Sequence, residues 1–185
     1  MEHSHDIAHL GHVEMLTDKF DESLDFFTRI YGLKLSGQDA GCAYLRAWDD
    51  YEYCTLKLTR ADTTGVGHIG YRAASPEALA RRVAAIKASG FKVHGWVEGD
   101  QSHGRALRFE DPFGHVFEVY YETVWYQPQG QAERAALKNT ASAFTGAAPR
   151  RLDHLNLLAS DVSEFRRFME VCLGSRVTEY IRLDN

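Results

Sequence analysis

Three short apolar runs carry a histidine at the same place: Gly11-His12-Val13-Glu14, Gly67-His68-Ile69-Gly70, and Arg151-Leu152-Asp153-His154-Leu155-Asn156. A later apolar run, Gly114-His115-Val116-Phe117-Glu118-Val119-Tyr120, places Glu118 near its end. Imidazole nitrogens and a carboxylate oxygen are donors for divalent transition metals, and two histidines with one carboxylate leave open positions on a non-haem iron(II). If these runs are strands, side chains alternate between faces. His12 is then expected to share a face with Leu10 and Glu14, His68 with Val66 and Gly70, and Glu118 with Val116 and Tyr120. Each histidine taken singly has a plainer reading, a half-buried strand residue satisfied by hydrogen bonds. Repetition at a fixed offset is what favours a metal.

The elements that would position these residues form a repeat. His12 and His154 are 142 residues apart, and without a gap Phe26 then falls on Phe168 and Gly32 on Gly174. Each start is followed by an amphipathic helix with readable ends. Asp18 is the expected N-cap of the first, which carries Phe20, Leu24, Phe27 and Tyr31 and stops at Gly32. Ser75 caps the second, with Pro76 at its first position, Leu79, Val83 and Ile86 as its stripe, and Gly90 as its stop. Asp161 or Ser160 caps the third, with Phe165, Phe168 and Cys172 on one face and Gly174 at its end. Strands are expected over 43–48 and 53–59 after the first helix, and over 91–97, 105–109 and 114–121 after the second, with Asp111-Pro112-Phe113-Gly114 as a turn. The unit reads strand, helix, then two or three strands.

The first two starts are 56 residues apart and the next two 86, and residues 124–150 supply the excess. That stretch has a turn-rich beginning, a weakly helical middle over 132–144 and a loose end, which is the character of a linker. The organisation is thus a two-unit domain over 7–123, a linker over 124–150, and the start of a second domain over 151–185. The third unit reaches only its second strand at 181–185, so the chain reads as the front part of a longer one. Without further cover, Leu155, Leu157, Phe165 and Phe168 are expected to lie exposed.

Composition narrows the function classes. The chain has 185 residues, 44% hydrophobic and 25% charged, with a net charge of −5. That is a globular composition without a basic stripe, which disfavours nucleic acid and leaves a small molecule as the expected partner. No apolar run is long enough for a membrane span or signal core, so a cytoplasmic location is expected. Cys42, Cys54 and Cys172 are odd in number and widely spaced, which suggests neither disulfides nor a thiolate zinc site. His3, His5 and His9 read as a frayed terminus. His94 and His103 have no carboxylate near them in sequence and rank below the histidines at the unit starts.

The histidine-bearing starts, together with Asp111-Pro112-Phe113-Gly114-His115-Val116-Phe117-Glu118, resemble the module signatures of the vicinal oxygen chelate superfamily. The linker and the Leu152-Asp153-His154 restart are similar to its two-domain extradiol ring-cleavage dioxygenases. The resemblance implies an α+β fold of paired βαβββ modules forming an open barrel, as in glyoxalase, bleomycin-resistance and dihydroxybiphenyl dioxygenase proteins. It further implies Fe(2+), with Mn(2+) as an alternative, a small aromatic diol and O2 as substrates, and a homo-oligomer. The family holds its metal in the second domain, so the resemblance makes His154 the first ligand and places its partners, with the acid/base residues, beyond Asn185. No catalytic residue is then expected within the chain. His12, His68 and Glu118 sit at the equivalent positions of the first domain. They are open to two readings, a barrel interior held by hydrogen bonds or a residual triad that takes up a divalent metal. Glu14 could pair with His12 instead. Asp153, pointing to the opposite face of a regular strand, is a weak partner for His154. The rival functions are a non-catalytic ligand-binding protein of the bleomycin-resistance kind and a glyoxalase-like metal isomerase.

Overall fold

A computed structural model describes residues 5–128, 130 and 146–181. Eight strands form one open mixed sheet: β1 (Ile7–Thr17), β2 (Lys34–Gln38), β3 (Cys42–Arg46), β4 (Leu56–Arg60), β5 (Gly65–Ala73), β6 (Lys92–Val97), β7 (Ala106–Glu110) and β8 (Val116–Tyr120). Their order is β2-β3-β4-β1-β5-β8-β7-β6. Each half is a βαβββ unit in which the first strand pairs in parallel with the last, β1 with β4 and β5 with β8, and the two units join through antiparallel β1 and β5. Both histidine-bearing strands therefore lie at the centre of the sheet. The expected strands after each helix are present, with ends that differ from the expected ones by up to three residues. β2 was not expected: it is a short edge strand interrupted by a bulge between Leu35 and Gly37, with little apolar alternation to announce it.

Helices cover one face. The first, α1 (Phe20–Asp25), runs into a π-helical turn over Phe26–Ile30 and buries Phe20 against Ala43, Leu45 and Leu58. Asp18 does not cap it; Lys19 is the N-cap residue, and Thr17 Oγ1 accepts from the Lys19 backbone N–H at 3.1 Å. The second, α2 (Pro76–Ala88), starts as expected, with Ser75 Oγ accepting from Ala78 N at 3.1 Å, and buries Ile86. The turn before β8 is built on Asp111, whose Oδ1 accepts from Phe113 N at 2.9 Å and His115 N at 2.8 Å, while Gly114 takes a positive φ of 91°. His115 therefore serves the turn, its Nδ1 lying 2.7 Å from Asp111 Oδ2.

The third unit follows the pattern only in its helix. Asp161 caps α3 (Val162–Phe168), accepting from Ser163 N and Glu164 N, and a π-helical turn over Met169–Leu173 ends at Gly174 with φ 69°. The expected strand over 152–158 is irregular, since no strand among the described residues pairs with it. The expected exposure of the helix is also overturned. Phe168 is fully buried, its ring 5.1, 5.7 and 5.0 Å from those of Phe91, Phe109 and Phe117, and Cys172 and Leu173 are buried beside it. Leu155, Leu157 and Phe165 pack half-buried on the same cluster. The second unit offers an apolar face beside α2 wide enough for another helix, and burial of such surface drives the docking. The expected helix over 132–144 and most of the strand expected at 181–185 fall outside the described residues. Among the described residues, no helix is long and apolar enough to cross a membrane.

Candidate metal centre

The face of the sheet opposite the helices carries polar groups. Register sets Glu14 across from His68 on β1 and β5, His12 across from Gly70, and Gly70 beside Glu118 on β8. His12 and Glu118 are thus neighbours with only a glycine between them. A Cβ on Gly70 would overlap the His12 imidazole, so the ring can lie over the sheet only because residue 70 has no side chain. The predicted shared face of His12 and Glu14 is present, but Leu10 faces the helices instead. A bulge between Leu10 and His12 inserts Gly11 as an extra residue and reverses the alternation there.

Sequence reasoning ranked His103 low, yet it completes the cluster. It sits in the loop between β6 and β7, where Asp100 Oδ1 accepts from Ser102 N at 2.8 Å and an isolated bridge pairs His103 with Thr123 just after β8. The signal was an Asp-Gln-Ser turn before a histidine; the bridge to Thr123, just beyond β8, is what sets that turn beside Glu118. His94, the other low-ranked histidine, sits in a bulge of β6 between Val93 and Gly95 and bonds Glu110 on the neighbouring β7 at 2.9 Å.

His12, His68, His103 and Glu118 are 1, 1, 5 and 0% exposed. Their ligand atoms all lie within 4.8 Å of one another, and among the described residues they are the one such group of three or more. The Nε2 atoms of His12, His68 and His103 stand 3.2, 3.3 and 3.2 Å from Glu118 Oε1. His12 Nε2 and His68 Nε2 are 2.8 Å apart. The outer atoms fix which nitrogen carries the proton. His68 Nδ1 donates to Glu14 Oε2 at 2.7 Å; Arg108 also approaches that nitrogen, at 3.4 Å, but the nearer carboxylate requires the proton there. His103 Nδ1 donates to the Gly104 carbonyl at 2.7 Å. In their neutral forms both rings therefore turn a bare Nε2 inward. Glu14, the alternative partner considered for His12, is engaged by His68 because register puts it directly opposite, and its Oε1 also accepts from Thr59 Oγ1 at 2.6 Å. Arg108 Nε holds Glu118 Oε2 at 3.0 Å, while the other oxygen, Oε1, accepts no hydrogen bond.

Charge follows from this packing. Burial pushes the His12 imidazole towards its neutral form. Burial opposes ionisation of Glu118, but the imidazoles of His12 and His68 outweigh it and hold the carboxyl well below the usual range. Burial also opposes a charged His68, and Glu118 and Glu14 on its two sides raise its pKa nonetheless. Glu14 is drawn down to about 2, its own burial being overcome chiefly by the His68 hydrogen bond. Three imidazole nitrogens and one oxygen of an ionised Glu118 thus meet at one buried point.

His154 is not part of it. Its side chain is 76% exposed, and Nδ1 lies 2.8 Å from Asp153 Oδ2. Because the segment is irregular rather than a strand, the two neighbours bond, which the alternation argument did not allow. Nearby, Asp49 ties the segment down through Arg150 at 2.7 Å and Arg151 at 3.3 Å.

Residues 66–123 match the family model of the catechol 2,3-dioxygenase-like N-terminal domain. The chain is 40% identical over 178 residues to a metapyrocatechase of Geobacillus stearothermophilus, covering 96% of this chain and 54% of the relative. Over the matched length the chain is similar to the extradiol dioxygenases. It is 36% identical over 184 residues to a manganese-dependent 2,3-dihydroxybiphenyl 1,2-dioxygenase of Geobacillus genomosp. 3, covering 97% of this chain and 58% of that one. The homoprotocatechuate 2,3-dioxygenase of Arthrobacter globiformis superposes with a TM-score of 0.77 at 28% identity, over 94% of this chain and 51% of its own. The fold of paired βαβββ units is thus that of the extradiol dioxygenases, and the chain spans about half the length of the curated relatives it matches.

Proposed function

We propose that this chain provides the first domain (7–123), the linker (124–150) and the opening of the second domain (151–185) of an extradiol dioxygenase that cleaves the ring of a catechol-type aromatic diol with O2. The observation that carries this reading is the kinship to metapyrocatechase, which extends over 96% of the chain and so through the restart that bears His154. The buried cluster of the first domain does not suit ring cleavage, because four donors surround its centre and leave no side on which a diol could enter. His154 does suit a catalytic metal: it is exposed, and Asp153 holds the Nδ1 proton so that Nε2 is left to coordinate. Iron(II), or manganese(II) as the name of one relative indicates, supplies a path for electron density from diol to dioxygen when bound. Other ligands and the acid/base groups belong to the half of the relatives that this chain does not span. A homo-oligomer is part of the same proposal.

The test uses the protein at the full length of its relatives, loaded with iron(II) without air and then given catechol in air. A yellow ring-fission product is expected, and His154→Ala should reduce the rate by more than about 100-fold, beyond the loss typical of outer-shell changes. The 185-residue chain alone is expected to give no product. Full turnover by the His154→Ala protein overturns the role of this residue.

A further inference from the structure

We infer that His12, His68, His103 and Glu118 form a closed four-ligand site for one divalent transition cation, zinc in the first place, which ties the two βαβββ units of the first domain together and takes no part in catalysis. The inference stands apart from the ring-cleavage reading and does not need it.

Four observations lead here. The first is geometric. A tetrahedral zinc site with bonds of about 2.0–2.1 Å has ligand-to-ligand edges of about 3.3 Å. The three nitrogen-to-Oε1 separations, 3.2, 3.3 and 3.2 Å, are of that size, and the His12–His68 separation of 2.8 Å is only slightly shorter. The second is the orphaned oxygen. Glu118 Oε1 is buried, lies within reach of three imidazole nitrogens and yet accepts no hydrogen bond. An unpaired buried carboxylate oxygen is costly, and a cation at the common point would satisfy it together with the three nitrogens. The third is the outer layer. Glu14 on His68 and the Gly104 carbonyl on His103 hold the Nδ1 protons and aim each Nε2 inward, which is how metal-binding histidines are oriented. Arg108 occupies Oε2, so Glu118 offers a single oxygen.

The fourth is the donor set. Three imidazoles and one carboxylate suit zinc, cobalt, nickel or iron(II), whereas magnesium and calcium prefer shells of oxygen. Catalytic zinc sites keep one position for water or substrate; structural ones are closed by four protein ligands. With exposures of 5% or less around the centre, this site is of the closed kind. Its ligands come from both halves of the sheet, His12 from the first unit and the other three from the second.

The experiment is metal analysis of the 185-residue chain, purified without a metal resin, stripped with chelator and reconstituted with zinc or cobalt. About one equivalent of zinc per chain is expected, and the cobalt form should show the intense visible bands of a tetrahedral site. His103→Gln and Glu118→Gln, checked for native circular dichroism, should each lose the metal, whereas His154→Ala and the terminal pair His3→Ala and His5→Ala should keep it. His103 lies in a loop, so its variant keeps the question answerable if Glu118→Gln does not fold. A wild-type chain that stays metal-free after reconstitution overturns the inference. So does metal that follows His154 or the terminal histidines, or a weak octahedral cobalt spectrum.

Discussion

Gly70 separates His12 from Glu118 in the sheet register, and its missing Cβ is what lets the His12 ring lie flat over the strand. His12 is 1% exposed and hemmed in by His68, His103 and Tyr120, so it cannot yield to an added methyl group. Gly70→Ala is therefore expected to destabilise the chain by about 1–3 kcal/mol, the usual cost of overpacking, whereas Gly41→Ala, where the new Cβ meets nothing within 4 Å, should stay within about 0.5 kcal/mol. Urea unfolding of the two variants makes the comparison; equal stabilities would show that the ring moves freely. The cysteines separate in the same way. Burial pushes the Cys54 thiol well up and that of Cys172 to about 11, and only the thiolate is nucleophilic. Iodoacetamide at about pH 8 should label native protein at the half-buried Cys42 and reach the other two only in denaturant, as peptide mass spectrometry would show. Of the cluster, His12, His68 and Glu118 were legible because a repeat marks equivalent positions. His103 was not, because no repeat or motif marks a loop residue brought in by an isolated bridge to Thr123.

Among the elements, the helices were the most legible and the irregularities the least. Ser75 followed by Pro76 announces the start of α2, and the hydroxyl accepts from Ala78 N as the sequence implies. Removing it in Ser75→Ala should cost about 1 kcal/mol, the usual value of an N-cap. Lys19→Ala at the start of α1, where no side chain caps, should cost little, and chemical denaturation of the pair distinguishes them. A bulge has no such signature: inserting Gly11 turned Leu10 to the helical face, where simple alternation had put it beside His12. The stretch over 152–158 has an apolar strand pattern but no partner among the described residues, so pattern alone could not make it a strand. Its helix found a partner instead. Phe168 fills a space bounded by Phe91, Phe109 and Phe117, and Phe168→Ala is expected to cost about 3–5 kcal/mol, the range for deleting a buried aromatic ring. Hydrogen exchange should then lose its protection first in α3; unchanged protection there would mean that the helix is held by other contacts.

At the scale of the whole molecule, the two units meet along one antiparallel strand pair, β1 with β5, and each unit keeps its own apolar cluster under its own helix. Ile7 and Leu10 of β1 do cross to the apolar cluster under α2, and on the other face of the sheet the groups that cross between the halves are polar. His12 reaches Glu118 and His68, and Glu14 reaches His68, so four side chains bind unit to unit at one buried point. A cation bound there exists only while both units are folded and paired, since unfolding scatters His12 from the three ligands of the second unit. Its binding energy is then added to the stability of the pair: free zinc at about 1,000 times its dissociation constant would stabilise the fold by about 4 kcal/mol. The expected result is a single thermal transition that rises with zinc, falls back on chelation, and is insensitive to zinc in His103→Gln. His154→Ala should respond as the wild type does, because its imidazole lies outside the cluster and is 76% exposed. Differential scanning calorimetry across a zinc titration checks this. Two transitions, of which only one moved with zinc, would place the cation within one unit and remove its role as the link between them.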